Sequence, residues 1–277
     1  MLRDPIELYE YPKEWCNSDS FEKVRSGLYI LTPDGWLRRG ITTATTASAA
    51  VNAAIASLYE DVNEVDVVTP VGITLKVKVN AEDGTAFARK FAGDHAFDVT
   101  DGLTVKAVAK NNNIKFGKGV GFVSKAAMEQ IMTNFNLCRE NYNYRGGVLI
   151  EVPDGELIAK KTRNPIPGGI SILGTTGFVE PWCKKLVETK IKIAKQYNRI
   201  AVTTGRIGWR YALENFRDYQ PFVFGVHITE ILKNFDGEII IVGLPKLLFK
   251  WAGANNREAV FRKARELNKN VVDVVLL

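Results

Sequence analysis

RIAVTTGRIGWRYALENFRDYQPFVFGVHITEILKNFDGEIIIVGLP, Arg199–Pro245, alternates short β-branched and aromatic runs with stretches of helical spacing. RIAVTTG, PFVFGV and GEIIIVGLP read as strands, and RIGWRYALENF and ITEILKNF as helices. Strands alternating with helices of this length predict right-handed crossovers and a mostly parallel sheet. The same grammar continues outward. PWCKKLVETKIKIAKQYN upstream reads as a helix, as do KLLFKWAG and NREAVFRKARELNK downstream, and VVDVVLL closes as a strand. Residues 185–277 are therefore expected to form a Rossmann-like α/β domain.

Before residue 155 the pattern is different. Thr42 or Thr43 can cap a helix, and ATTASAAVNAAIASLYE follows in good helix formers whose faces are almost all alanine, serine or threonine. Strands are expected at Glu64–Thr69 and Ile73–Asn80, joined through Pro70-Val71-Gly72, and again at Gly147–Pro153. SKAAMEQIMTNF reads as a short helix capped by Ser124. These elements predict an α+β domain over residues 1–155. Between the two lies a glycine- and proline-rich connecting segment, 156–184, which holds Gly168-Gly169 and GTTG at Gly174–Gly177.

The totals narrow the function classes. Hydrophobic residues make up 46% and charged residues 25%, the balance of a soluble globular protein. No run of eighteen apolar residues occurs, and MLRDPIELYEYPKEW has no apolar signal-peptide core, so a cytoplasmic protein without membrane attachment is expected. Three scattered cysteines (Cys16, Cys138, Cys183) and two histidines (His95, His227) argue against a disulfide framework and against a protein metal site. The net charge of +6, from 37 basic and 31 acidic residues, attracts anions. No nucleic-acid recognition motif accompanies it.

Several turns can carry chemistry. Glycine-threonine turns such as GTTG can form anion-binding nests, and they can equally be tight connections. TTGRIG at Thr203–Gly208 and VGLPK at Val242–Lys246 stand where parallel strands hand over to helices, the usual ligand crevice of an open α/β sheet. In DVTDG, Asp98 and Thr100 point the same way if the stretch is extended, and they can bind a substrate edge or close a local turn. The threonines of ITTATT are expected to offer hydroxyls and free amides to carboxylates at a helix start, beyond the one that capping needs.

Together these segments resemble the CbiD family, the cobalt-precorrin-5B C1-methyltransferases of the anaerobic cobalamin pathway. The resemblance runs from about Trp36 to the last α/β unit and is most specific in AKKTRNPIPGGISILGTTGFVEP. RRGITTATTASAA, VVTPVG, DVTDG and TTGRIG stand in the family's order. Ala44 and Thr46 occupy positions where the family commonly has glycine and cysteine. Gly243-Leu244-Pro245-Lys246 keeps the lysine of a family stretch and loses its histidine, and the later threonine-histidine-serine element is absent around Asn255–Arg257.

The resemblance implies an enzyme that moves a methyl group from S-adenosylmethionine to C1 of cobalt-precorrin-5B, giving cobalt-precorrin-6A. Cobalt enters only with the tetrapyrrole substrate. The implied catalytic residues are Thr43, Asp98, Thr100 and Lys246. Contacts to the substrate's acetate and propionate groups fall to Arg38, Arg39, Thr42, Thr45, Lys161, Arg163, Gly168, Gly169, Thr175 and Thr176. Contacts to S-adenosylmethionine fall to Thr204, Gly205, Gly208 and Gly243. The partner is the small tetrapyrrole, not nucleic acid, and a homo-oligomer is left open. A second reading, a CbiD-like tetrapyrrole- or nucleotide-binding protein without methyl transfer, rests on Leu244 and Pro245. Either reading requires that separate turns converge on a cleft.

Overall fold

The structure, a computed structural model, describes residues 2–110, 113–162 and 165–277. The chain forms two compact units. A central unit comprises Arg25–Ile30 and Leu37–Pro181, and a terminal unit comprises Met1–Val24, Leu31–Trp36 and Trp182–Leu277. This division differs from the expected boundaries at 155 and 184. The amino-terminal arm belongs with the C-terminal elements, and the glycine-rich segment up to Pro181 is part of the central unit.

The central unit begins with β1 (Gly40–Ile41) and helix α1 (Thr43–Ala56). Strands β2 (Val62–Val68), β3 (Thr74–Glu82), β4 (Thr85–Arg89) and β5 (Thr104–Lys110) follow, then β6 (Lys115–Phe116), β7 (Gly119–Val123), α2 (Lys125–Tyr142) and β8 (Gly147–Glu151). Six strands make one sheet in the order β2-β3-β4-β5-β8-β6. It is antiparallel except for the short β8/β6 pair. Every residue of α1 is buried, because the helix packs against both the sheet and α2. A helix with no solvent face needs small side chains on all sides, and TATTASAAVNAAIA supplies them. α2 runs well past the expected SKAAMEQIMTNF, to a left-handed cap at Asn143. Its Asn134 side chain bonds both backbone groups of Val68 on β2.

After helix α3 (Gly155–Ala159), the glycine-rich segment is ordered by pairing. β9 (Gly169–Ile172) lies parallel to β7, and β10 (Phe178–Val179) lies antiparallel to β1. Gly169 has φ +144°, and a Cβ there would stand 2.0 Å from the Gly119 carbonyl oxygen. Only glycine permits that approach.

The terminal unit contains α4 (Lys184–Ala194), β11 (Arg199–Thr203), α5 (Arg206–Asn215), β12 (Gln220–Val223), α6 (Ile228–Asn234), β13 (Glu238–Gly243), α7 (Pro245–Ala252), α8 (Arg257–Leu267) and β14 (Val271–Leu276). Its four strands are all parallel, in the order β12-β11-β13-β14. Ala201, Ala212, Ile240 and Val242 form a buried cluster between this sheet and α5. Tyr9 joins the unit by stacking on Phe222, with ring centroids 5.5 Å apart. Glu7, fully buried, accepts from Arg206 at 2.6 Å and lies 3.4 Å from the Lys190 ammonium. These contacts explain why the amino-terminal arm belongs here. The fold is thus mixed α/β, with a mostly antiparallel sheet in one unit and a parallel sheet in the other. Among the described residues no helix is long and apolar enough to cross a membrane.

Candidate functional site

The start of α1 is the hub of the central unit. Thr42 caps the helix by accepting from the Thr45 amide. Thr43 Oγ1 accepts from the Leu173 amide at 2.8 Å. Thr45 Oγ1 donates to the Gly177 carbonyl at 2.8 Å and accepts from Gln130 Nε2 at 3.0 Å. Thr46 bonds back to the Thr42 carbonyl. The expectation of free amides for carboxylates needs correcting here. The Ala44 amide donates to the Leu173 carbonyl, the Thr45 amide to the Thr42 hydroxyl and the Thr46 amide to the Thr42 carbonyl, so three of the first four amides are already engaged. The extra threonines hold the glycine-rich segment in place.

Around this hub lies a cleft of about 490 Å³. Its wall includes Thr42, Thr43, Lys90, Asp98, Thr100, Ser124, Ser171, Gly174 and Thr175, with apolar surface from Leu173, Phe178 and Val179. The size is within the range of small-molecule sites, roughly 300–1,000 Å³. Segments of the central unit far apart in sequence therefore converge on one cavity, and neither the turn at Thr203–Gly208 nor that at Val242–Lys246 contributes to its wall.

Asp98 is the most constrained acid of the cleft. Lys90, 3% exposed, holds its Oδ2 at 2.5 Å. The Thr100 amide and hydroxyl donate to Oδ1 at 2.9 and 2.6 Å. Burial pushes the Asp98 carboxyl upward, but the hydrogen bonds from Lys90 and Thr100, with the charge of Lys90, outweigh it and hold the carboxyl below the usual aspartate value. Of the two alternatives for DVTDG the structure shows the local turn, closed by Thr100 on Asp98, and the stretch is not extended; both residues line the cavity.

The terminal unit offers a topological switch point. β11 is followed by β12 on one side and then by β13 on the other, so the gap between β11 and β13 is where the strand order reverses. Ligands of open α/β sheets bind outside the carboxyl ends of strands at such a point. Thr204 and Gly243 meet there. The Thr204 amide donates to the Val242 carbonyl, and a Cβ on Gly243 would stand 2.4 Å from Thr204 Oγ1. A Cβ on Gly208 would stand 2.7 Å from the Val242 carbonyl oxygen, whereas one on Gly205 would meet nothing within 4 Å.

The family model described as CbiD matches residues 32–181. The chain is 59% identical to the cobalt-precorrin-5B C(1)-methyltransferase of Archaeoglobus fulgidus, over 98% of this chain and 94% of that one. It is 38% identical to the enzyme of the same name from Methanococcoides burtonii, over 90% and 81% of the two chains. The chain belongs to the CbiD family. A solved structure described as a cobalamin biosynthesis protein (cbiD) from Archaeoglobus fulgidus superimposes with a TM-score of 0.94 at 58% identity, over the whole of both chains.

In this CbiD chain the remaining expected residues fall into distinct settings. Arg38 is exposed, and its guanidinium lies 4.2 Å from the Phe91 ring centre. Arg39 is fully buried, donating to Glu180 at 2.8 Å and to the Gly27 carbonyl at 3.1 Å. A structural ion pair has claimed the side chain expected to grip a substrate carboxylate. Thr176 is also turned inward, its hydroxyl engaged with both backbone groups of Phe178, while Thr175 faces the cleft. Gly169 serves strand packing, and Gly168 and Lys161 are exposed outside the cleft wall. Arg163 lies outside the described residues. Lys246 sits exposed on the first turn of α7, in the terminal unit, so the four expected catalytic residues are not gathered within one unit.

Lys90 and Gln130 escaped the sequence reading. Lys90 had a signal: it continues the inward face of Ala86 and Ala88 at a spacing of two. Gln130 had none, because its partner Thr45 lies 85 residues away.

Proposed function

We propose that this CbiD chain is a cobalt-precorrin-5B C1-methyltransferase, transferring the methyl group of S-adenosylmethionine to C1 of a cobalt-bearing tetrapyrrole to give cobalt-precorrin-6A. The observation that carries this reading is the near-complete match, at 59% identity, to a relative bearing that name. The cleft of the central unit supports it by gathering Thr43, Asp98, Thr100 and Thr175 around one cavity.

S-adenosylmethionine, when bound, supplies an electrophilic methyl group whose former bonding pair remains on sulfur. We assign it to the Rossmann-like crevice of the terminal unit. Gly243 and Gly208 let Thr204 and the start of α5 pack closely on β13, Gly205 leaves open space at the start of α5, and Thr204 offers a hydroxyl. We assign the macrocycle to the central cleft. Leu173, Phe178 and Val179 give its flat face an apolar support, Thr175 meets its carboxylates, and Arg38, exposed outside the cleft wall, is assigned to a peripheral carboxylate.

The ring carbon provides the electron pair for the new C–C bond, so the ring gains positive charge and must release a proton. A cationic ring is a strong acid, and even a weakly basic carboxylate accepts its proton. Asp98 has that role in this reading. Lys90 and Thr100 occupy three of its roughly four acceptor positions and leave about one for the substrate. Holding Asp98 in a fixed, partly dry wall contributes through positioning.

The experiment is methyl transfer from isotopically labelled S-adenosylmethionine to cobalt-precorrin-5B, followed by mass spectrometry of the tetrapyrrole. One added methyl at C1 is expected. Binding of both ligands without transfer would instead support a binding protein that has lost turnover.

A further inference from the structure

We propose that Lys90 is a positioning residue for methyl transfer, one that fixes the charge and aim of the Asp98 carboxylate at the wall of the central cleft. This rests on the reading that the cleft serves methyl transfer and that Asp98 acts there.

The placement of Lys90 is unusual for its residue type. It follows β4 on the face that Ala86 and Ala88 turn toward the core, and burying an ammonium is costly unless a partner compensates it. Asp98 is that partner, at 2.5 Å. The backbone closes the same contact from below. The Lys90 amide donates to the Leu103 carbonyl at 2.8 Å, and the Gly102 amide donates to the Lys90 carbonyl at 3.0 Å. Lys90 thus clamps both ends of the turn that carries Asp98 and Thr100.

A pair of this kind can exist for stability alone, yet this one stands in the wall of a cavity, beside Thr43 and Ser171. The other charged groups around the turn are engaged or turned elsewhere. Asp101 accepts from the Ala92 amide, Asp94 accepts from the Arg38 amide, and the Arg89 guanidinium lies against Gly102. His95 presents its carbonyl to the Asp98 amide. The segments facing Asp98 from α1, from Ser124 and from Ser171–Val179 contribute hydroxyls and apolar groups, not charges. Lys90 is the cation that sets the state of this carboxylate. Without it, burial acts on Asp98 unopposed by charge.

The test is a carbon-13 NMR titration of aspartate carboxyls in the ligand-free full chain, with D98N assigning the resonance, beside kcat–pH profiles of wild type, K90M and K90R. In wild type, Asp98 is expected to titrate below the ordinary aspartate range and kcat to stay level from pH 8 to pH 6. In K90M the Asp98 titration is expected to move up by more than one pH unit, and the acid limb of the kcat profile to move up with it. K90R is expected to restore both. An unmoved Asp98 titration in K90M, or a K90M profile parallel to wild type, overturns the proposal. Should K90M not fold, an ordinary aspartate titration of Asp98 in wild type overturns it on its own. A D98N enzyme with wild-type turnover would overturn the underlying reading of the cleft, a result independent of the Lys90 titration.

Discussion

Thr43 Oγ1 accepts a hydrogen bond from the amide of Leu173, 130 residues later, and lies 3.2 and 3.3 Å from the carbonyls of Leu173 and Ser171. One hydroxyl at a helix start thereby fixes the segment that forms a wall of the cleft. Replacing it with valine keeps the shape and leaves the half-buried Leu173 amide without this acceptor. T43V is expected to lose about 0.5–1.5 kcal/mol in urea denaturation and to lower kcat at least tenfold, whereas T43S retains both. Unchanged stability in T43V would remove the stapling role.

Neighbouring arginines should separate cleanly. R39M removes the buried guanidinium that pairs with Glu180 and is expected to cost about 3–5 kcal/mol. R38A alters an exposed side chain, and its stability is expected to stay within about 0.5 kcal/mol, while tetrapyrrole binding weakens severalfold. Thermal melts and a uroporphyrin titration read the two effects. Wild-type melting of R39M would refute the buried ion-pair assignment.

Gly243 and Thr204 offer a test of the donor crevice. A methyl group at 243 would stand 2.4 Å from Thr204 Oγ1, so G243A must displace that side chain. Calorimetry is expected to give S-adenosylhomocysteine binding at least tenfold weaker in G243A, with uroporphyrin binding unchanged. The reverse pattern would exchange the two ligand assignments.

Asp98 also links stability to pH. Its carboxyl is held below the ordinary aspartate value, so its contribution is fully present above about pH 4–5 and is lost as pH falls through the depressed folded value. Denaturation of wild type and D98N is therefore expected to differ by a constant amount from pH 7 to about pH 5 and to converge below about pH 4. A difference that grows on acidification contradicts the sign of the shift.

The parallel sheet of the terminal unit was legible because each strand and helix there carries its own period. Helix α1 was legible for the same reason, along with its capping threonine. The unit boundary was not, since Glu7 and Tyr9 join the terminal unit through Lys190, Arg206 and Phe222, partners that no local pattern reveals. Within the cleft, Asp98, Thr100 and Thr43 stood out as polar residues in glycine-punctuated turns. Arg39 misled because charge in a sequence says nothing of burial. Its inward turn follows from Glu180, which the strand pairing of β10 with β1 brings alongside.

The pairing of Glu7 with Arg206 spans 199 residues. On the ribosome the acid emerges long before either of its cations has been translated, and the parallel sheet still lacks every strand. Residues 37–181 can meanwhile complete their own core, since domains generally fold as units during synthesis. The buried pairing that holds the leading arm in the folded protein can therefore close only after the trailing end has been made.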